Sequence, residues 1–177
     1  AYEIERLCRE HGKLLVVNHQ KKFLPAWAKA KAAIADGLLG PLDFLRASCQ
    51  GNLLEQGTHL VDMALYFHDY RPVRWVMGQI DDLQGLDKPQ AAAPDAALAT
   101  LCFVDGVRAM LEFGSVGRDF PGETNKWHHF SLEAYGSKGH LKISLNRTLS
   151  ITTYADGQTE VSESSWSKGF VQAEAAH

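Results

Sequence analysis

The sequence is poor in the features that commit a chain to several large classes of function. It has three cysteines, Cys8, Cys49 and Cys102, far apart and odd in number, with no C-x-x-C. That excludes a disulfide framework and the common zinc and redox motifs, and the three read as reduced thiols packed as small hydrophobes. No apolar run approaches the ~20 residues of a membrane-spanning helix. Neither sign of charge dominates: 18 Lys and Arg stand against 21 Asp and Glu, a net −3. Nothing here predicts a nucleic-acid partner or a membrane partner. There is no G-x-G-x-x-G, no G-x-x-x-x-G-K-[ST] and no G-x-S-x-G, so a dinucleotide fingerprint, a P-loop and a nucleophile elbow are all missing. The charged opening AYEIERLCRE is not a signal peptide, and with the unpaired cysteines it predicts a cytoplasmic protein.

What is present is an ordinary globular composition, 45% hydrophobic and 22% charged over 177 residues. That length suits one domain with a sizeable core, or one domain with a fragment of another. Tyr2 to His11 reads as a helix with Ile4, Leu7 and Cys8 on one face and Gly12 as its stop. Leu14 to Val17 is apolar without alternation, the pattern of a strand covered on both faces, as in a parallel sheet. No earlier strand exists for it to pair with, so it is expected to find cover in another chain or in this chain's own sheet. Pro25 to Ala35 reads as a second helix, with Trp27, Ala30, Lys31 and Ile34 on one side. Asp36 to Pro41 stops it, and the domain boundary is placed near residues 18–23.

Leu42 to Cys49 is the first strand of a new sheet. From Val73 onward the period is two, with strands expected at Val73–Asp81, Ala97–Val104, Val107–Phe113, His129–Tyr135, His140–Ser144, Leu149–Tyr154 and Thr159–Ser164. Asp105-Gly106 and Asp156-Gly157 suggest tight two-residue hairpins, and Gly136 to Gly139 a slightly longer turn. Gln84 to Pro94 and Gly114 to Trp127 read as loops, the second long enough to carry function. The predicted fold class is α+β, a mainly antiparallel open sheet with helices on one face. Trp75, Met77, Leu101, Phe103, Met110 and Phe113 supply apolar surface for a homo-oligomer contact through the sheet face.

The chemistry concentrates in Glu55 to Phe67, read as one helix. Glu55, His59 and Asp62 are spaced i, i+4, i+7 and fall on one stripe, continued by Tyr66. Leu60, Met63, Ala64 and Phe67 form a second stripe that faces a core. A carboxylate one turn from a histidine can hydrogen-bond the ring, hold one tautomer and raise its pKa, which suits proton transfer with a substrate hydroxyl. A solvated helix face with an ordinary i, i+4 pair accounts for the spacing equally well. A divalent ion on Glu55, His59 and Asp62, helped by His68-Asp69 or His128-His129, has no H-E-x-x-H and no Cys/His cluster behind it, so no metal is expected.

Four segments in order resemble the Gfo/Idh/MocA oxidoreductases, the glucose–fructose oxidoreductase and inositol dehydrogenase family. Leu14–Val17 followed by Asn18 to Pro25 is similar to the last strand of that family's Rossmann-type domain and its exit. Ile34 to Leu42, with Gly37 and Gly40, resembles its i-x-x-G-x-x-G-x-l connector. Glu55 to Asp62 resembles its carboxylate-x-G-x-His-x-x-Asp helix, and Glu133 to Gly139 its G-x-x-G hairpin. The resemblance implies a nicotinamide-dependent oxidation of a sugar or polyol hydroxyl, with NAD or NADP in the full-length enzyme and none expected on this chain. Residues 1–22 would be the remnant of the dinucleotide-binding domain, a helix and a strand, and residues 23–177 the substrate-binding and oligomerisation domain. His59 and Glu55 would be catalytic, and Asp62, Lys22 and Gln20 substrate-binding. Lys22 stands where arginine is frequent and loses the planar fork. Glu55 is one methylene longer than the common aspartate. The family's catalytic lysine falls upstream of residue 1, and Asp87-Lys88-Pro89 is a decoy for it. The family's terminal helical segment is not expected after Phe170.

Overall fold

Alternating runs from residue 42 onward pair into one eight-stranded sheet in the computed structural model, which describes residues 2–81 and 92–166. The strands are β1 (Leu42–Cys49), β2 (Val73–Asp81), β3 (Ala96–Phe103), β4 (Arg108–Gly114), β5 (Phe130–Gly136), β6 (Gly139–Ser144), β7 (Arg147–Thr153) and β8 (Thr159–Ser164). Their order in space is β2-β3-β4-β1-β5-β6-β7-β8. Among the described residues only β1 with β4 runs parallel; every other pair is antiparallel. Three helices complete the described α+β fold: α1 (Tyr2–Glu10), α2 (Pro25–Ala35) and α3 (Gly57–Phe67).

Period-two alternation sorts the central strands into two faces. Leu45, Ala47 and Cys49 of β1, Ala109, Leu111 and Phe113 of β4, and Phe130, Leu132 and Ala134 of β5 are buried on the face that α2 and α3 cover. The helices meet them with Trp27, Ala30 and Ala33 from α2 and Leu60, Met63, Ala64 and Phe67 from α3. The α3 set is the stripe that its i, i+3, i+4, i+7 spacing predicts. Trp27 joins the two helices to the sheet, packing edge-on against Phe67 at 6.1 Å and Phe130 at 5.6 Å. Truncating such a residue costs about 3–5 kcal/mol.

The opposite face is mixed. Arg46 donates to Glu112 at 2.6 Å, Arg118 to Glu133 at 3.1 Å, and the Tyr135 hydroxyl to Glu133. At the β2 end this face exposes Trp75 and Met77. Leu101, Phe103 and Phe113 belong to the covered face instead, where they are buried, so three of the six apolar residues expected to form the sheet surface are core.

Several local expectations give way. Residues 13–19 form no strand, and Leu14 is 89% exposed. A strand exists only by pairing, and these residues pair with none of the eight strands. Helix α1 likewise buries no residue. Asp105-Gly106 lies in a loop from Val104 to Val107, and Asp156-Gly157 in one from Tyr154 to Gln158; there Asp156 accepts from Gln158 N and stretches the turn. The two-residue hairpins are Ser137-Lys138 and Leu145-Asn146. The first is set by tertiary docking: Ser137 N donates to Pro41 O at 3.0 Å and Lys138 N to Leu39 O at 2.8 Å. A Cβ on Gly136 would sit 2.4 Å from Leu39 O, and Gly40 opposite has φ +68. The connector and hairpin glycines are therefore one contact, because backbone must approach backbone where any side chain would collide. Asp87-Lys88-Pro89, residues 84–91 of the Gln84–Pro94 loop, and Phe170 lie outside the described residues.

Candidate functional site

The site begins where α2 does. Pro25 at the first helical position ends a 3₁₀ turn, Gln20–Phe23, that packs on α2 and α3. Residues 20–22 thus lie against the body formed by residues 23 onward, on the side of α3 that carries His59 and Asp62. Asp62 Oδ1 accepts from the Tyr70 hydroxyl at 3.0 Å and from Lys22 Nζ at 3.4 Å, and Lys22 Nζ lies 3.3 Å from Oδ2. Lys22 Nζ also donates to Tyr70 Oη at 2.9 Å. Burial pushes the Lys22 pKa down, but Tyr70 and Asp62 outweigh it and the net shift is upward. These three side chains clamp the 3₁₀ turn to the middle of α3 and to the turn that follows it.

His59 sits beside this clamp. Its ring meets His19 edge-on at 5.0 Å, and its Nδ1 is buried with no hydrogen-bond partner. Burial first, then the Lys21 ammonium and His19, push its pKa down to about 4, against a smaller opposing pull from Asp62. The expected rise driven by Glu55 does not occur. Glu55 is not on the helix. The Asn52 side chain accepts from Leu54 N at 3.1 Å and Glu55 N at 2.9 Å, an Asx turn that delays the helix. Helix α3 starts at Gly57, where a Cβ would press on Phe113 at 2.9 Å. Glu55 Oε2 instead accepts from Lys126 Nζ at 3.2 Å. Of the three residues expected on one stripe, His59 and Asp62 share the helix and Glu55 faces a neighbouring hollow with Asn52 and Lys126.

His59 lines a cavity of about 320 Å³ with Gln20, Lys21, Trp127, His128 and Trp166 among its walls. The loop after β4 builds one wall. Asn125 Oδ1 accepts from Trp127 N at 3.0 Å, and His128 Nδ1 lies 3.1 Å from Glu123 Oε2. Fully buried Gln56 donates to Trp127 O at 2.7 Å and ties that wall to the start of α3. His129 is buried and accepts from Phe120 N at 3.0 Å, so it shapes the loop. Gln20 Oε1 is buried without a partner. Among the described residues no three His, Cys, Asp or Glu side chains converge as a metal-binding group.

Lys21 is the residue that sequence reasoning passed over. It is 6% exposed, with Nζ 4.6 Å from the Phe130 ring and 5.4 Å from that of Trp166. No carboxylate pairs with it among the described residues. Burial pushes its pKa down to about 8. Nothing in a Lys21-Lys22 pair says which lysine points inward; only the 3₁₀ turn decides. Trp127 had a weak signal in the length of its loop, and Trp166 had none.

The family model described as the GFO/IDH/MocA C-terminal domain matches residues 27–142. No match to a curated protein was found. Among solved structures, an oxidoreductase from Pseudomonas syringae superposes with a TM-score of 0.71 at 17% identity, over 92% of this chain and 45% of that one. An NAD binding oxidoreductase from Klebsiella pneumoniae gives 0.69 at 17%, over 92% and 50%. An inositol dehydrogenase homolog from Azotobacter vinelandii, complexed with NADH and myo-inositol, gives 0.67 at 15%, over 92% and 45%. At these identities the likeness is one of fold, and the chain spans about half the length of these structures. With more than half of its residues inside that match, the chain belongs to the GFO/IDH/MocA family and contains its C-terminal domain.

Proposed function

We propose that this chain is the substrate-binding part of a nicotinamide-dependent oxidoreductase acting on a sugar or polyol hydroxyl. Residues 1–22 would be the end of a dinucleotide-binding domain and residues 23–177 the substrate-binding and oligomerisation domain. Solved relatives support the substrate class: one is complexed with NADH and myo-inositol, another with NAD+ and L-tartaric acid. Among the described residues none fits the dinucleotide itself. Helix α2 begins at Leu24-Pro25 and α3 at Gln56-Gly57, and neither is the glycine-rich strand-to-helix turn that seats a pyrophosphate. The nucleotide is therefore assigned to residues beyond these 177, and this chain's own side chains supply binding, orientation and proton transfer.

The observation that carries the reading is the His59 imidazole on a cavity wall, its Nδ1 buried and without a partner in the protein. With its pKa near 4, His59 is unprotonated at neutral pH. One ring nitrogen then accepts a hydrogen bond from a substrate hydroxyl and takes its proton as the alcohol is oxidised. Gln20 Oε1 accepts from a second hydroxyl. Asp62 and Lys22 hold the 3₁₀ turn that presents Gln20, and Glu55, through Lys126, holds the loop that presents Trp127. The exposed Trp75 and Met77 on the outer face of β2 support self-association through the sheet.

The test has two arms. A fluorescence titration of the 177-residue chain with NADH should show no saturable binding; tight binding would overturn the assignment of the nucleotide to another domain. In the protein that carries this chain with its nucleotide domain, His59→Ala should lower kcat on its polyol by about 10²-fold or more. Full activity in that variant would leave a non-catalytic self-association or ligand-binding module as the better reading.

A further inference from the structure

We propose that the His59 cavity selects an anionic polyol, a sugar acid whose single carboxylate seats on the Lys21 ammonium; this rests on the reading of that cavity as the substrate site. A buried charge is normally retained only when it is paired. Lys21 is almost fully enclosed, yet among the described residues it has aromatic faces around it and no carboxylate. The acidic group that bears on it is the Cys49 thiol, which burial pushes up to about 12 and so keeps uncharged. The other cations nearby are already committed: Lys22 to Asp62 and Tyr70, and Lys126 to Glu55. Lys21 is thus one uncompensated positive charge on a cavity wall, and it matches one negative charge on the occupant.

The rest of the cavity specifies the remainder of that occupant. Gln20 Oε1 is a buried acceptor awaiting a donor, which a hydroxyl supplies. Trp127 and Trp166 add flat apolar walls against which the carbon chain of a polyol can lie. A volume of about 320 Å³ is at the small end for ligand pockets, right for a six-carbon acid and too small for a dinucleotide. One ammonium balances the single charge of a carboxylate and would leave part of the roughly −1.5 to −2 charge of a phosphate uncompensated. The bound carboxylate would also cancel the repulsion that Lys21 exerts on His59, so that charge on the substrate and proton acceptance at the imidazole are coupled.

The experiment compares matched probes on the 177-residue chain. D-gluconate and D-galactonate are titrated against D-sorbitol and galactitol, which have the same carbon chains but no carboxylate. Trp127 and Trp166 line the cavity, so intrinsic fluorescence reports occupancy, and calorimetry confirms it. At least one acid should bind ten-fold or more tightly than its matching hexitol, and Lys21→Met should erase that preference. Hexitols binding as tightly as the acids would overturn the anionic class while leaving the polyol site standing. An acid preference that survives Lys21→Met would show the carboxylate seated elsewhere and overturn the assignment to Lys21. No binding by any of the four would overturn both this proposal and the reading of the cavity. The wild-type comparison decides the substrate class whether or not the variant folds.

Discussion

Replacing Lys21 by methionine should make the protein more stable. Lowering a lysine from its ordinary value near 10.5 to about 8 corresponds to roughly 3–4 kcal/mol of penalty on the charged form. The ring faces of Phe130 and Trp166 return about 1–2 kcal/mol of this through cation–π attraction. Methionine keeps the volume and part of the ring contact, without the charge. The net gain at pH 7 is therefore about 2 kcal/mol, which for a chain of this size raises Tm by roughly 4–8 °C. The gain has a pH signature. In the folded chain Lys21 sheds its proton near pH 8, in the unfolded chain near 10.5. Between those values the unfolded state holds more protons, so wild-type stability rises with pH. The advantage of Lys21→Met should shrink from pH 8 toward pH 10.5. Thermal unfolding of both proteins by circular dichroism at pH 7 and pH 10 measures it. A variant less stable than wild type at pH 7, or an advantage equal at both pH values, would refute the account of Lys21 as an uncompensated charge. A residue retained at such a cost on a cavity wall is the pattern expected where ligand binding, not folding, selects it.

His59 predicts a second pH dependence, of the same sign in an acidic window. Its folded-state pKa lies below its unfolded value near 6.5, so its contribution is complete above pH 6.5 and is lost as pH falls toward 4. The ring is only half-buried, so the loss should be about 1–2 kcal/mol, roughly half of what the full displacement corresponds to. Urea unfolding at pH 6.5 and 4.5 should show a smaller difference for His59→Gln than for wild type, and an equal difference would remove burial of the neutral ring as the cause. On the outer sheet face, Met77→Lys should weaken self-association by 30-fold or more, because it places a charge in an apolar contact. Sedimentation velocity at tens of micromolar reads this out, and a wild-type protein that stays monomeric there would refute the assembly face.

How much was legible in the sequence varies with how local the cause is. Helix α2 and strands β1, β2 and β8 fall where periodicity and punctuation put them, because Pro25, Gly37, Gly40 and the apolar alternation act within a few residues of themselves. The core stripe of α3 was legible for the same reason. The start of α3 was not, since the Asn52 side chain turns the backbone just ahead of it and moves Glu55 off the helix. The hairpin lengths were not legible either: Ser137-Lys138 is tight because Leu39 and Pro41, a hundred residues earlier, accept its backbone donors.

The sequence by itself determined the composition of the site's vocabulary: a histidine and an aspartate three apart on an amphipathic helix, a pair of lysines before a proline, and an aromatic at the end of a long loop. Those are local properties of a chain. Only the tertiary structure decided which lysine turns inward, that Glu55 faces Lys126 and not the imidazole, and that Trp127 and Trp166 close a cavity over Lys21. Burial is a property of the whole assembly. The same ammonium is unremarked in water and costly beneath two aromatic rings, and no periodicity along the chain records that difference.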